Sequence, residues 1–164
     1  AYKDEQNKKI RPGTLIGAAR RAAREEAIQF VMMLADADIP KIAIENPVGV
    51  LSSRWRKPDQ FIQPYEYGDD ASKKTCLWLK GLPPLRPTSF VEPRMVCCGS
   101  VIVSGEKCPI CNGKNAPRPR WGNQTDSGQN KEPPGKDRWK IRSTTWQGWA
   151  DAMAKQWGSV EDEK

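Results

Sequence analysis

KIAIENPVGV, Lys41 to Val50, is the stretch on which the reading of this chain turns. Its β-branched run reads as a short buried strand over residues 41–45. The run then stops on an acid, an amide and a proline. Three such residues together do not pack a core. In open α/β folds ligands bind beyond the carboxyl ends of the strands, which makes Glu45 and Asn46 candidate site residues. The competing reading is an ordinary turn or helix-capping acid, and spacing alone does not separate the two.

Working outward, Arg11-Pro12-Gly13 punctuates the chain before a helix, with Thr14 as the expected N-cap. From Leu15 to Ala35 the residues Ala23, Ala27, Phe30, Val31 and Leu34 recur at helical spacing and predict a core-facing stripe, which Asp38-Ile39-Pro40 ends. Helix, tight turn and strand in that order make half of an α/β unit. Downstream lies the basic loop SSRWRKPDQ, then expected strands at Phe61–Gln63 and Thr75–Leu79, with Cys76 a packed thiol. Residues 114–136 read as one long Pro-, Gly- and amide-rich loop. Ser143 to Trp157 reads as a helix whose Trp146, Trp149, Met153 and Trp157 share one face, a stripe better suited to core packing than to an exposed aromatic surface.

Four of the five cysteines fall between residues 93 and 113. Cys108-Pro-Ile-Cys111-Asn-Gly has the form of a metal knuckle, in which two thiolates reach one ion and a glycine permits the turn. Cys97-Cys98-Gly99 departs from that form. Adjacent side chains on an extended strand point opposite ways, so both bind one ion only if the backbone kinks at Gly99. The chain has no His, which leaves Cys97, Cys98, Cys108 and Cys111 as the available ligands. A hairpin at Val101–Gly105 between the knuckles suggests a zinc ribbon, with structural zinc set ahead of a disulfide or buried thiols.

The net charge is +7 over 164 residues, so polyanions are the first partners to consider, DNA foremost. No apolar run approaches the ~20 residues of a membrane span, and the polar N-terminus has no signal-peptide core, so a soluble protein in a reducing compartment is expected. Ala1 either follows a removed Met or begins a piece of something longer.

Taken together, Ile44-Glu45-Asn46-Pro47, Gln63-Pro64, Tyr67-Gly68, Lys73 to Gly81 and Arg142-Ser143 through Ala154 resemble a phage and prophage family of DNA cytosine-5 methyltransferase-like proteins. The resemblance covers nearly the whole chain. It implies an α/β fold: part of a Rossmann-like methyltransferase sheet over residues 1–92, a zinc-ribbon insert with its loop at 93–136 in the target-recognition position, and a helix returning to the core at 137–164. It implies that Glu45-Asn46 contacts a flipped cytosine, the carboxyl bonding ring N3 and the exocyclic amine from a dry pocket that raises its pKa. Pro47 stands where the family commonly has Val. Lys73 matches the first of two basic residues in a later motif, with Thr75 in place of the second. Gln147-Gly148 is similar to a cofactor-contact motif, with Trp149 replacing an expected Asn.

DNA contacts are expected from Arg54, Arg56 and Lys57, and from Arg118 and Arg120 beside the ribbon, although charged runs are more often solvated faces. The amides of Trp121–Asn130 suit recognition or a plain linker. Neither the family's Gly-rich S-adenosylmethionine loop nor its Pro-Cys nucleophile occurs in these 164 residues. Methylation would therefore need a second polypeptide or an N-terminal segment. The rival expectation is a non-catalytic DNA-binding module. The resemblance places the protein in the cytoplasm of a bacterial host or a phage-infected cell.

Overall fold

The computed structural model describes residues 13–103, 105–132 and 135–158. Helix α1 (Gly17–Ala35) is followed by β1 (Ile42–Pro47), the one-turn α2 (Leu51–Arg54), β2 (Gln60–Ile62), a 3-10 turn at Pro64–Glu66 and β3 (Thr75–Lys80). Then come β4 (Arg94–Cys97), β5 (Ser100–Ile102), β6 (Arg118–Arg120), α3 (Arg138–Ser143) and α4 (Gln147–Trp157). The strands form two three-stranded sheets, β1-β3-β2 and β5-β4-β6, and every pairing is antiparallel. The result is a mixed α/β architecture, but the expected half of a Rossmann-like sheet is not what the described residues form. Parallel neighbours need a crossover of a dozen or more residues, usually helical. The links from β1 to β2 and from β2 to β3 carry only a four-residue helix and a three-residue turn, and β3 enters antiparallel between its neighbours.

The central strand β3 is covered on both faces. Cys76 and Trp78 look toward α1 and α2, joining Ile28 and Leu51. On the other face Leu77 joins Ile62, Tyr67, Leu85, Trp149 and Ala152, with Trp146, Met153 and Trp157 packed alongside. The tryptophan stripe of α4 is therefore core, and Cys76 is a buried thiol whose pKa burial raises.

Strand β1 departs from its expected burial. It is an edge strand with alternating half-buried and exposed residues. The Leu77 carbonyl accepts from the Asp59 amide on the β2 side, so by strand alternation Cys76, Trp78 and Lys80 turn their backbone groups toward β1. Their partners Asn46, Ile44 and Ile42 bond to β3, which leaves the backbone of Ala43, Glu45 and Pro47 facing outward. Proline lacks an N–H, and here it falls where β3 does not require one.

Helix α1 begins at Gly17 after an N-cap at Ile16 that makes no side-chain cap bond, so Thr14 is not the cap; Arg11 and Pro12 lie outside the described residues. The face of α1 that meets the sheet is Ile28, Val31 and Met32, while Phe30 and Leu34 from the expected core stripe remain 55% and 43% exposed. The helix carries two apolar faces, and the described residues cover only one.

The C-terminal helix is two helices. α3 ends at Ser143, and α4 starts at Gln147 after the extended Trp146. A Cβ at Gly148 would collide with the Tyr67 carbonyl, so glycine lets the first turn of α4 press onto the core.

The span read as a structureless loop contains β6 and a bridge between Gln124 and Asn130. Its amides are structural ties. Asn123 accepts from the Ser72 amide at 3.0 Å and donates to the Ser72 carbonyl at 3.0 Å. Gly122 N–H donates to Asp70 Oδ1 at 2.7 Å, Trp121 stacks on Tyr65 at 4.3 Å, and the Arg94 guanidinium donates to the carbonyls of Trp121 and Gln124. This loop fastens the second sheet to the first.

Candidate functional site

The second sheet presents the four cysteines. β4 ends in Cys97, and the tight turn Cys98-Gly99 leads straight into β5. Both turn residues have positive φ, 51° and 83°, which is the kink that adjacent ligands require and the twist a two-residue hairpin favours. The hairpin tip is thus Cys98-Gly99 rather than Val101–Gly105, where Ser104 lies outside the described residues. Cys108 and Cys111 approach from the following loop, whose turn closes with Asn112 N–H donating to the Cys108 carbonyl at 2.8 Å. Asn112 and Gly113 then carry φ of 50° and 84°, as the knuckle pattern implies.

All four sulfurs lie within 4.8 Å of one another, and Cys97 Sγ stands 3.8 Å from Cys98 Sγ and 3.6 Å from Cys111 Sγ. These separations exceed a disulfide bond of ~2.05 Å, and the thiols are free. They match the ~3.8 Å between sulfurs set tetrahedrally ~2.3 Å from one ion. Four close cysteines in this arrangement can hold a metal ion. Asn115 supports them, its backbone N–H 3.4 Å from Cys111 Sγ and its side-chain amide 3.3 Å from Cys98 Sγ. The Asn115 backbone bond, the largest influence, lowers the Cys111 pKa to about 6, whereas burial and neighbouring thiols push Cys97 up to about 12. Nothing in the cysteine spacing marks Asn115 in advance, because its role depends on the loop coming back.

A groove of about 500 Å³ adjoins Cys97 and Cys98, with Lys114, Arg118 and Arg120 along it and Asp126 at one side. The side chains of Lys114 and Arg118 make no hydrogen bond or ion pair among the described residues. Arg120 donates to the carbonyls of Asp126 and Pro119.

Glu45 stands exposed on β1, opposite Leu77 and on the α4 side of the sheet. It makes no hydrogen bond or ion pair among the described residues, and neither does the half-buried Asn46 side chain. The carboxyl is not enclosed in a dry pocket among the described residues, because β1 lies at the edge of its sheet and Glu45 is exposed. The basic residues downstream are largely committed. Arg54 pairs with Glu25 at 2.8 Å, and Arg56 donates to both carboxylate oxygens of Asp59 and to the Leu79 carbonyl. Lys57 is exposed, and Lys73 Nζ reaches the Arg142 carbonyl at 3.4 Å.

Gln147 and Gly148, the expected cofactor contacts, have internal partners. Gln147 donates to Asp151 Oδ1 at 2.7 Å, and Gly148 N–H donates to Asp69 Oδ2 at 3.0 Å. The Gly148 amide and the Gln147 side-chain N–H thus serve internal hydrogen bonds at the start of α4. Among the described residues no helix is long and apolar enough to cross a membrane. Searches with protein-family models, among curated proteins and among solved structures found no match to this chain.

Proposed function

We propose that this chain is the base-contacting and DNA-binding part of a cytosine-5 methyltransferase-like protein, with zinc as the ion of its cysteine centre. The observation that carries the reading is Glu45: an exposed carboxylate without a partner among the described residues, on a strand paired with β3. The Glu45 carboxyl can engage the ring N3 and exocyclic amine of an extruded cytosine once a partner encloses it. The resemblance supports the same assignment. The thiolate that attacks C6, and the loop that holds S-adenosylmethionine, would come from a second polypeptide or a preceding segment. Zinc is favoured because four thiolates at tetrahedral separations, without an open ligand position, suit a closed structural site.

The test is label transfer from S-adenosylmethionine to DNA, by the chain alone and with the polypeptide encoded immediately upstream of Ala1. The expected result is no transfer alone and transfer by the mixture, reduced by ~10² or more in Glu45→Gln. Transfer by the chain alone, or a mixture indifferent to Glu45→Gln, would overturn it. A second reading, a DNA-binding module without chemistry, is favoured by the groove holding Lys114 and Arg118. Salt-sensitive DNA binding that survives Glu45→Gln, together with an inactive mixture, would select it.

A further inference from the structure

We infer that the groove beside the cysteine centre clamps the phosphodiester backbone of DNA without reading its bases, an inference that rests on the proposal above that DNA is the partner. The groove lies on one face of the sheet β5-β4-β6. Residues opposite each other in an antiparallel pair share a face, and so do residues two apart on a strand. The register sets Arg94 opposite Arg120 and Val96 opposite Arg118, so both arginines of β6 stand on one face with Arg94 and Val96. They project ~6.7 Å apart along the strand, close to the step between neighbouring phosphates of one nucleic-acid strand. Lys114 adds a third cation, next to the Asn115 whose side-chain amide bonds Cys98 Sγ.

The charge is arranged for an anion. Lys114 and Arg118 are exposed and make no hydrogen bond or ion pair among the described residues. Arg120 is held by the carbonyls of Asp126 and Pro119 at 3.1 and 2.8 Å, which orders its guanidinium in advance. A Cβ at Gly128 would come within 3.0 Å of that guanidinium, so a glycine there leaves it room. Asp126, the acid on the lining, pairs with Arg94 at 3.2 Å. Three cations thus line the groove against one carboxylate that already has its counter-ion.

The same lining is poor in groups that identify bases. No described residue on it carries an aromatic ring for stacking. The Asn115 amide is spent on Cys98 Sγ, and Ser127 Oγ shares a 2.9 Å bond with Thr125 Oγ1. An arginine reads guanine with two donors side by side, but Arg120 gives two of its nitrogens to carbonyls. Phosphate contacts position a protein on DNA, whereas base contacts specify the sequence. The groove therefore supplies affinity and placement, and the target sequence is read elsewhere in the complex.

The test titrates the full chain with duplexes of one length and several unrelated sequences, between ~50 and ~200 mM salt. Lys114→Ala combined with Arg118→Ala is expected to weaken every duplex alike, at least about tenfold near 0.1 M salt, and to lower the slope of log K against log salt by about 2. Arg118→Lys keeps the charge without the paired donors and should bind each sequence as the parent does. Arg21→Ala with Arg24→Ala removes the same charge from exposed positions on α1 and should leave the slope unchanged. All these variants alter exposed side chains, so metal content and helix content should match the parent. Equal losses in the two double variants, a loss confined to one sequence, or release of DNA by low-millimolar inorganic phosphate at constant ionic strength would each overturn the inference. Failure of the groove is distinguishable from failure of the function. Duplex binding that keeps the parent's slope in the groove variant sinks the groove alone. Groove-dependent binding, in a chain whose mixture with the upstream polypeptide transfers no methyl group, upholds the groove and sinks the proposed activity.

Discussion

The sheets β1-β3-β2 and β5-β4-β6 have the same number of strands but different sources of stability. The first buries Leu77 and Trp78 from opposite faces and is covered by α1 on one side and α4 on the other. Among the described residues the second has a small cluster of Cys97, Ile102 and Cys108, with Cys111 partly buried and Val96 buried beside them, and it exposes Val101 at 59% while Ile110 in the following loop is 65% exposed. A fully buried large apolar side chain contributes ~1.5–3 kcal/mol, so the first sheet draws on several such terms. The second has few, so under the proposed metal centre its order would rest on ligation together with the ties through Arg94, Trp121 and Asn123. Apolar content alone does not locate stability in this chain; what lies behind each strand does.

The sharpest break of that contrast is to remove a ligand. Cys108→Ser, or a strong chelator, should cost the second sheet binding free energy of order 10 kcal/mol. Amide signals of β4, β5 and β6 should collapse, while those of β3 and α4 stay dispersed. A metal-free native protein with an intact second sheet would refute the contrast.

The reciprocal experiment strikes the first sheet. Trp78 is 1% exposed and donates its indole N–H to the Arg56 carbonyl at 2.9 Å. Trp78→Ala should lower stability to denaturant by ~3–5 kcal/mol. Metal stoichiometry by elemental analysis should remain that of the parent.

A subtler change asks whether the sheets unfold together. Asn123→Ala removes both side-chain bonds to Ser72 and should cost ~1–3 kcal/mol. Its signature would be the separation of one denaturation transition into two, read by metal release and by tryptophan fluorescence.

The smallest effect lies in the first sheet and depends on pH. Burial works to raise the Asp59 pKa, but hydrogen bonds from Leu79 N–H and Arg56 outweigh it and hold the value below the usual 3.8. A carboxyl with a depressed folded pKa contributes stability that is present above its unfolded pKa and lost as pH falls through the folded one. Asp59→Asn should thus remove part of the stability loss below about pH 4, measurable as a shallower acid limb. At neutral pH it should leave the second sheet unchanged.

The sequence revealed elements better than it revealed their neighbours. Ile42–Ile44, Phe61-Ile62 and Thr75–Leu79 were readable as strands because β-branched and apolar residues cluster there, and Trp149 with Met153 marked the buried face of α4. Strand order was not readable, since nothing local says that β3 enters between its predecessors. The covered face of α1 was misjudged because Phe30-Val31-Met32-Met33-Leu34 satisfies two apolar stripes at once. The cluster of four cysteines was readable from their chemistry and spacing. Asn115 acts through a local turn onto Cys111 and Cys98, whereas Asn123 and Gly148 act through chain that returns from far away, their partners Ser72 and Tyr67 lying about 50 and 80 positions earlier.

Pro47 has one more consequence, for solubility. An uncovered rim of a sheet is a template on which further copies can stack into open-ended fibres. At this rim the row of donors stops after Glu45, since Pro47 has none to offer. Any incoming segment finds a pairing track only a few residues long, fixed in length by one missing hydrogen. The rim can therefore welcome one short visitor while offering a poor seed for runaway growth.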